Sequence, residues 1–279
     1  MITWEGLYSV FVFGLTNGGP AGLVYGFLLV WAGYAAIVAS MGELVSMWPT
    51  AGGQYHWVHK LAPEGWKNIL SYITGWYVRH LAENGANDFR QSVIAWQALV
   101  ASAGFLTATS LQGLVINSQT SYIPKPYQGT LLVFAIMLVA LVFNTLLMKH
   151  LPKVENAVLA LHIILFVVVL ACLTALAPER GSSKDVWALF LSDGPYESKG
   201  LSFFVGLITP VFAFAGADGA VHMSEEIKNS SRVLPRAMLG MSSCQKVHGT
   251  LGLIFSHRLD RHQWSYRLRN AYRNPLLHR

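Results

Sequence analysis

Charge is scarce in this sequence. Of its 279 residues, 12% are Asp, Glu, Lys or Arg, against roughly 25% in an ordinary soluble domain. Stretches 7–42, 126–148, 156–178 and 200–217 hold no such residue at all. A helix of a soluble protein needs a wet face, so several uncharged runs of this length exclude a soluble core. Cysteine is scarce too: Cys172 and Cys244 are the two present, and no disulfide framework or metal spacing can be built from them. There is no phosphate loop of the Walker type, no Gly-x-Ser-x-Gly elbow and no His-Glu-x-x-His pair. The expectation is therefore a chain that is not an enzyme, with no catalytic residues, no cofactor and no metal. The first apolar run lacks a basic flank and is too long for a cleavable leader.

Apolar residues fill the space, at 53% of the chain and a mean hydropathy of +0.41. About 20 of them cross the hydrocarbon core of a bilayer as a helix. The pattern predicts an all-α, multi-span transmembrane protein, with a short first segment over 4–15 and a break at Asn17-Gly18-Gly19-Pro20. A second span covers 21–47. A third starts at 69, is interrupted over 77–90 and resumes over 92–115. Further spans cover 129–148, 154–177 and 201–221. A seventh segment starts at Pro235, and its apolar pattern fades after Met241. With the chain entering from the cytoplasm, seven Lys and Arg fall in inner connections and four in outer ones, leaving out 77–90. This favours that orientation modestly. The net charge of +6 is concentrated in 257–279, which hold six Arg and one Asp.

The sixth stretch carries the most chemistry. Pro210 removes a backbone donor and is expected to kink it; Gly216 and Gly219 permit unwinding. Backbone freed at membrane depth is tolerated where it lines a cavity or is buried in protein, and transporters bind solutes at such helix breaks. Asp218 is an intramembrane carboxylate, costly unless it has a use. Against this, Pro and Gly are common in membrane helices and help them pack. Glu5 follows Thr3 and Trp4. The plain interpretation is an interfacial Trp and an acid at a helix start; the functional one is an anionic partner for an ammonium, with a cation–π face beside it. His56 and His59 have no third ligand nearby in sequence. His162 stands alone in mid-span, where a packed, hydrogen-bonded imidazole is the simpler expectation and a proton relay the alternative. Glu225, Glu226, Lys228 and Arg232 form either a solvated boundary or a cytoplasmic gate of ion pairs.

Taken together these segments resemble the amino acid–polyamine–organocation superfamily, and within it the fungal amino acid/choline permeases. The resemblance is carried by Thr3-Trp4-Glu5, by Asn17 through Gly26, by Glu43-Leu44 with Pro49 through Trp57, by Leu201 through Pro210, by Gly216 through Glu226, and by Pro235-Arg236-Ala237. It implies part of an inverted-repeat, five-plus-five transporter fold with broken first and sixth helices around a central site. It implies secondary active transport, by alternating access, of amino acids or related amines such as choline and 4-aminobutyrate. The partners implied are that solute, a coupling proton or sodium ion and the lipid bilayer, with no nucleic acid; the location implied is a plasma or vacuolar membrane. Placed by position, Thr3, Trp4, Glu5 and Gly6 would lie in the unwound part of the first helix and shape one side of the site. Phe212, Phe214, Ala215, Gly216 and Asp218 would shape the other, with Glu225, Glu226 and Lys228 as the gate.

Three departures from the family pattern stand out. The chain starts inside the family's first span, so the first half-helix is missing. Residues 77–90 place four charges and a histidine inside a span, which is costly. Joining Trp76 to Gln91 restores an apolar helix, and the codons for Trp76-Tyr77-Val78 necessarily contain a splice-donor-like string; the segment reads as a retained intron. From about Ser242 the match fades. The expected organisation is a partial permease domain over 1–241 with an anomalous insertion at 77–90, then a disordered, basic, non-family tail over 242–279. The rival expectations are a truncated fragment that does not transport and, with less support, a membrane-bound enzyme.

Overall fold

The computed structural model describes residues 3–75, 90–119, 121–175 and 183–256. Among these, all regular structure is helical. Lipid offers backbone groups no hydrogen-bond partners, so a spanning segment must satisfy them within itself. Among the described residues, five segments are long and apolar enough to cross a membrane: Phe11–Met47, Trp96–Ser118, Pro126–Thr145, Met148–Ala175 and Lys199–His222. The all-α, multi-span expectation holds. The inserted segment falls almost wholly outside the described residues, and so does the tail over 257–279.

Contacts divide the chain into two compact units. The first comprises Met1–Glu43, Ala160–Ala220 and Arg232–Arg279; the second comprises Leu44–Leu159 and Val221–Ser231.

The first unit begins with the short helix α1 (Thr3–Ser9), a one-residue interruption at Val10, and then α2 (Phe11–Met47). Within α2 the chain leaves helical geometry at Gly19, with φ 67° and ψ −173°. This is the break expected at Asn17-Gly18-Gly19-Pro20. Positive φ favours glycine there, and space demands it as well. A Cβ on Gly19 would lie 2.6 Å from the Leu191 nitrogen and 2.8 Å from the Leu189 oxygen. The groups freed by the kink find partners in that same segment: Ala21 N–H donates to the Leu189 carbonyl and Asp193 N–H to the Thr16 carbonyl. Pro20 then opens the next helical run, where its missing N–H costs little.

Helices α9 (Lys199–Gly206), α10 (Ile208–Phe214) and α11 (Gly219–His222) form the sixth stretch. Helix α12 (Ser230–Ser256) runs through Met241 without interruption, a correction to the organisation expected from the fading apolar pattern. Side-chain anchors explain it. Trp31 Nε1 donates to the Ser242 carbonyl, Lys246 Nζ lies 4.2 Å above the Trp31 ring, and Tyr8 Oη donates to the Gly252 carbonyl. The core of the unit gathers Leu7, Phe11, Leu15, Phe27, Phe214 and Leu253.

The second unit contains α3 (Gly53–Leu61), α4 (Lys67–Gly75), α5 (Arg90–Ser118), α6 (Pro126–Thr145), a 3₁₀ turn at Met148–His150 and the start of α7 (Leu151–Ala175). Helix α3 holds the Tyr55-His56-Trp57 segment. Trp57 Nε1 donates to the Trp48 carbonyl, and Ser71 Oγ ties α4 to the Tyr55 carbonyl. Helices α5 and α6 pack where Gly104 admits Met137.

Candidate functional site

The sixth stretch is discontinuous, and where it breaks has a local cause. Pro210 lies in the first turn of α10, where a missing N–H is harmless. The turn before it, at Leu207, keeps helical φ −63° and ψ −14°, so the chain is not unwound there. The interruption follows Phe214. Ala215 is extended, with φ −59° and ψ 147°, and Gly216 takes φ 82°. Helical geometry resumes at Gly219. A helix end leaves carbonyls without intrahelical donors; here turn bonds answer part of that need, from Ala215 N–H to the Phe212 carbonyl and from Gly219 N–H to the Gly216 carbonyl.

Helix α1 packs directly on α10. Gly6 makes this approach feasible, since a Cβ there would already sit 3.6 Å from Ala213 Cα and 3.9 Å from the Phe212 ring. Thr209, fully buried, donates from Oγ1 to the Val10 carbonyl at 2.9 Å. The interruption of the first stretch is therefore bonded to the sixth. The expected unwinding of Thr3, Trp4, Glu5 and Gly6 is not found: all four are helical, and the first stretch opens at Val10 instead. Nothing in these residues resists helix except Gly6, whose cost of about 1 kcal/mol is offset by its packing on Ala213.

Around α1 lies a cluster of polar and aromatic groups. Trp4 is buried, with Tyr8, His162 and Phe166 around its ring at centroid distances of 6.3, 5.7 and 6.1 Å. Its expected interfacial position is corrected accordingly. Glu5 Oε1 lies 2.6 Å from His162 Nδ1 on α7. His162 is thus not alone in its span. His248 on α12 meets the His162 ring edge-on at 5.8 Å and Phe166 at 4.5 Å. Glu5 Oε2 and Trp4 Nε1 are buried with no hydrogen-bond partner among the described residues.

On the other side, Phe212 is half-buried, whereas Phe214 is fully buried between Phe27 and Tyr34 at 5.1 and 5.4 Å. Phe214 is a structural wedge under the break. Ala215, Gly216 and Asp218 are half-buried. Tyr8, Thr209, His162 and His248 belong to this neighbourhood and were missed or undervalued from sequence; the one available signal was an ionisable residue, His162, inside an uncharged run.

In the second unit, Glu225, Glu226 and Lys228 are exposed. Glu225 Oε1 accepts from Ala51 N–H, and His222 Nδ1 bonds with the Ala51 carbonyl at 2.8 Å. Among the described residues no ion pair joins Glu225 or Glu226 to Lys228. The backbone of Ala51 takes the place of the expected cation.

The family model described as amino acid permease matches residues 2–255. The choline transporter of Saccharomyces cerevisiae is 31% identical over 241 residues, covering 85% of this chain and 40% of that protein. Amino-acid permease 2 of Neurospora crassa is 28% identical, covering 87% of the chain and 43% of the relative. An amino-acid permease of Arabidopsis thaliana is also 28% identical, with 84% and 44% covered. The chain thus spans less than half the length of these relatives. No solved structure gives a significant match. The match extends past Met241 into the end of α12, in keeping with the continuous helix seen there. With five apolar spans and a family match over nearly its whole described length, this multi-pass integral membrane chain belongs to the amino acid permease family.

Proposed function

We propose that the chain takes part in secondary active transport of amino acids or related amines, choline and 4-aminobutyrate among them, by alternating access. The observation that carries this is the buried, unpartnered Glu5 Oε2 on α1, the helix that packs against α10 just ahead of the 215–218 break. The Glu5 side chain is 32% exposed while this oxygen is covered, and a covered carboxylate oxygen without a donor favours a cation beside it. Trp4 Nε1–H is also unpartnered and offers a donor for an oxygen such as the carboxylate of an amino acid or the hydroxyl of choline. Trp4 adds an aromatic ring for the ammonium. Thr3, Gly6 and Phe212 frame this side, and Phe214, Ala215, Gly216 and Asp218 the broken one. Glu225, Glu226 and Lys228 act as the gate, with Glu225 engaging the Ala51 backbone.

The chain spans 40% of the choline transporter it matches, which favours a second reading: a permease fragment that binds solute without moving it. Purified chain in vesicles separates the two. Uptake of labelled choline, 4-aminobutyrate or amino acids above protein-free vesicles supports transport; binding without uptake supports the fragment. Glu5→Gln should weaken binding about 10- to 100-fold, the worth of a charged hydrogen bond. Unchanged binding in that variant removes Glu5 from the site.

A further inference from the structure

The turns at the two ends of α6 differ in charge. The turn ahead of it ends in Lys125, its one basic residue among those described. Polar groups there are answered locally: Tyr122 Oη donates to Gln128 Oε1, which also accepts from the Lys125 N–H. The turn after α6 reads Leu146-Leu147-Met148-Lys149-His150 and runs straight into α7, whose first turn carries Lys153. It is held tightly. The N–H groups of Leu146 and Leu147 donate to the Val142 carbonyl, and His150 N–H donates to the Leu147 carbonyl.

What this turn presents is both oily and basic. Leu146 is 78% exposed and Met148 61%. Lys149, His150 and Lys153 are exposed as well. Among the described residues none of the three forms an ion pair, and Glu155, the nearest acid in sequence, pairs with none of them. Local structure gives no reason for the cluster. A helix start disfavours cations, and the first turn of α7 contains no acid to offset them.

The helices that meet here point to the occupant. None of the apolar window of α6 is buried, and 6% of that of Met148–Ala175 is. Lipid therefore covers both, and the turn between them meets the headgroup layer of that lipid. Ammonium and imidazole groups there complement an anionic headgroup, while the apolar side chains beside them meet the upper acyl chains. A zwitterionic headgroup brings no net charge for the lysines to neutralise.

We propose that the turn over 146–150, together with Lys153, is a binding surface for anionic phospholipids. The headgroup lies on Lys149, His150 and Lys153, and the acyl chains start at Leu146 and Met148. Lipid binding here does not depend on whether the chain moves a solute.

Native mass spectrometry of the full chain in detergent, with phosphatidylserine and phosphatidylcholine of the same acyl composition, reads both lipids together. The wild-type chain should hold phosphatidylserine more tightly, by about fivefold per lysine. Lys149→Gln and Lys153→Gln should each remove about that factor for phosphatidylserine and leave phosphatidylcholine unchanged. Leu146→Gln should weaken both lipids. Lys125→Gln removes the same charge about 30 Å away along α6, beyond the screening distance, and should alter the preference by less than about twofold. Equal affinity of the wild-type chain for the two lipids overturns the proposal, and that comparison decides even if a variant does not fold. A loss in Lys125→Gln as large as in Lys149→Gln assigns the preference to total charge and overturns it too. Phosphatidylserine binding untouched by Leu146→Gln overturns the seating of the lipid on this turn. If Lys149→Gln instead breaks up a dimer that holds both lipids alike, the surface belongs to a second copy of the chain and the lipid assignment falls.

Discussion

The segment Met148–Ala175 and helix α2 invert the rule that greasier means deeper. The former is the most apolar candidate span, with a mean hydropathy of 2.9, yet 6% of its apolar window is buried; in α2 the hydropathy is 1.9 and 44% is buried. Helix α6, at 2.0, has none buried. In water the greasier helix would be the more deeply packed. In lipid, hydropathy admits a helix to the bilayer but does not draw helices together; close packing of small residues does that. Helix α2 has the means, since Gly14, Gly22 and Gly26 let Thr209, Phe203 and Leu207 approach. Helix α6 carries one glycine, Gly129 near its start, and presents Leu131, Phe134, Leu138 and Leu141 outward.

The sharpest way to break this contrast is to compare two glycines of α2. Gly19→Ala forces a methyl into the Leu189–Leu191 backbone at a positive φ and should cost about 2–4 kcal/mol. Gly33→Ala meets nothing within 4 Å and should be neutral to stabilising, by up to about 1 kcal/mol. Unfolding of the purified chain in detergent measures both, and equal losses would sink the distinction between packed and bare faces. The same contrast in large residues comes next. Phe214→Ala should lose about 3 kcal/mol, while Leu138→Ala on the outward face of α6 should be close to neutral, about 0.5 kcal/mol or less.

How much of this was visible beforehand differs by feature. The kink at Gly19 follows from four consecutive residues whose local chemistry allows little else. The spans follow from composition. The break after Phe214 was legible as Gly216 and Gly219, and Pro210 as the residue whose missing N–H accompanies the turn at Leu207. Contacts between residues far apart in sequence were not legible. Glu5 and His162 are 157 residues apart, and nothing local in either announces the other. Thr209 likewise reads as one more polar residue until Val10 is brought to it. The gate residues show the same limit, because the partner of Glu225 is a backbone N–H, which any sequence could supply.

Smaller effects refine the comparison. Tyr8→Phe removes the bond to the Gly252 carbonyl and should cost about 1 kcal/mol, seen in the same unfolding assay as a lower midpoint. The smallest concerns the second unit. Burial, then Lys60 and His59, hold the His56 imidazole below its ordinary value of 6.5. A depressed histidine favours the neutral form in the folded chain, so its contribution is present above pH 6.5 and is lost as pH falls through the lowered value. Because His56 is largely solvated, the change should not exceed about 0.5 kcal/mol. His56→Gln should flatten the acid side of a midpoint-against-pH profile by that amount, and an unchanged profile would assign the acid sensitivity elsewhere.

The hydroxyl of Thr209 on the Val10 carbonyl has a mechanical consequence. Seven residues make α1 a stiff rod two turns long, with one loose end at Val10, and that end is riveted to the neighbouring coil. The rod is held at its other end as well, where Glu5 meets His162 and Trp4 meets Phe166 on α7, so two turns of helix tie the sixth stretch to α7.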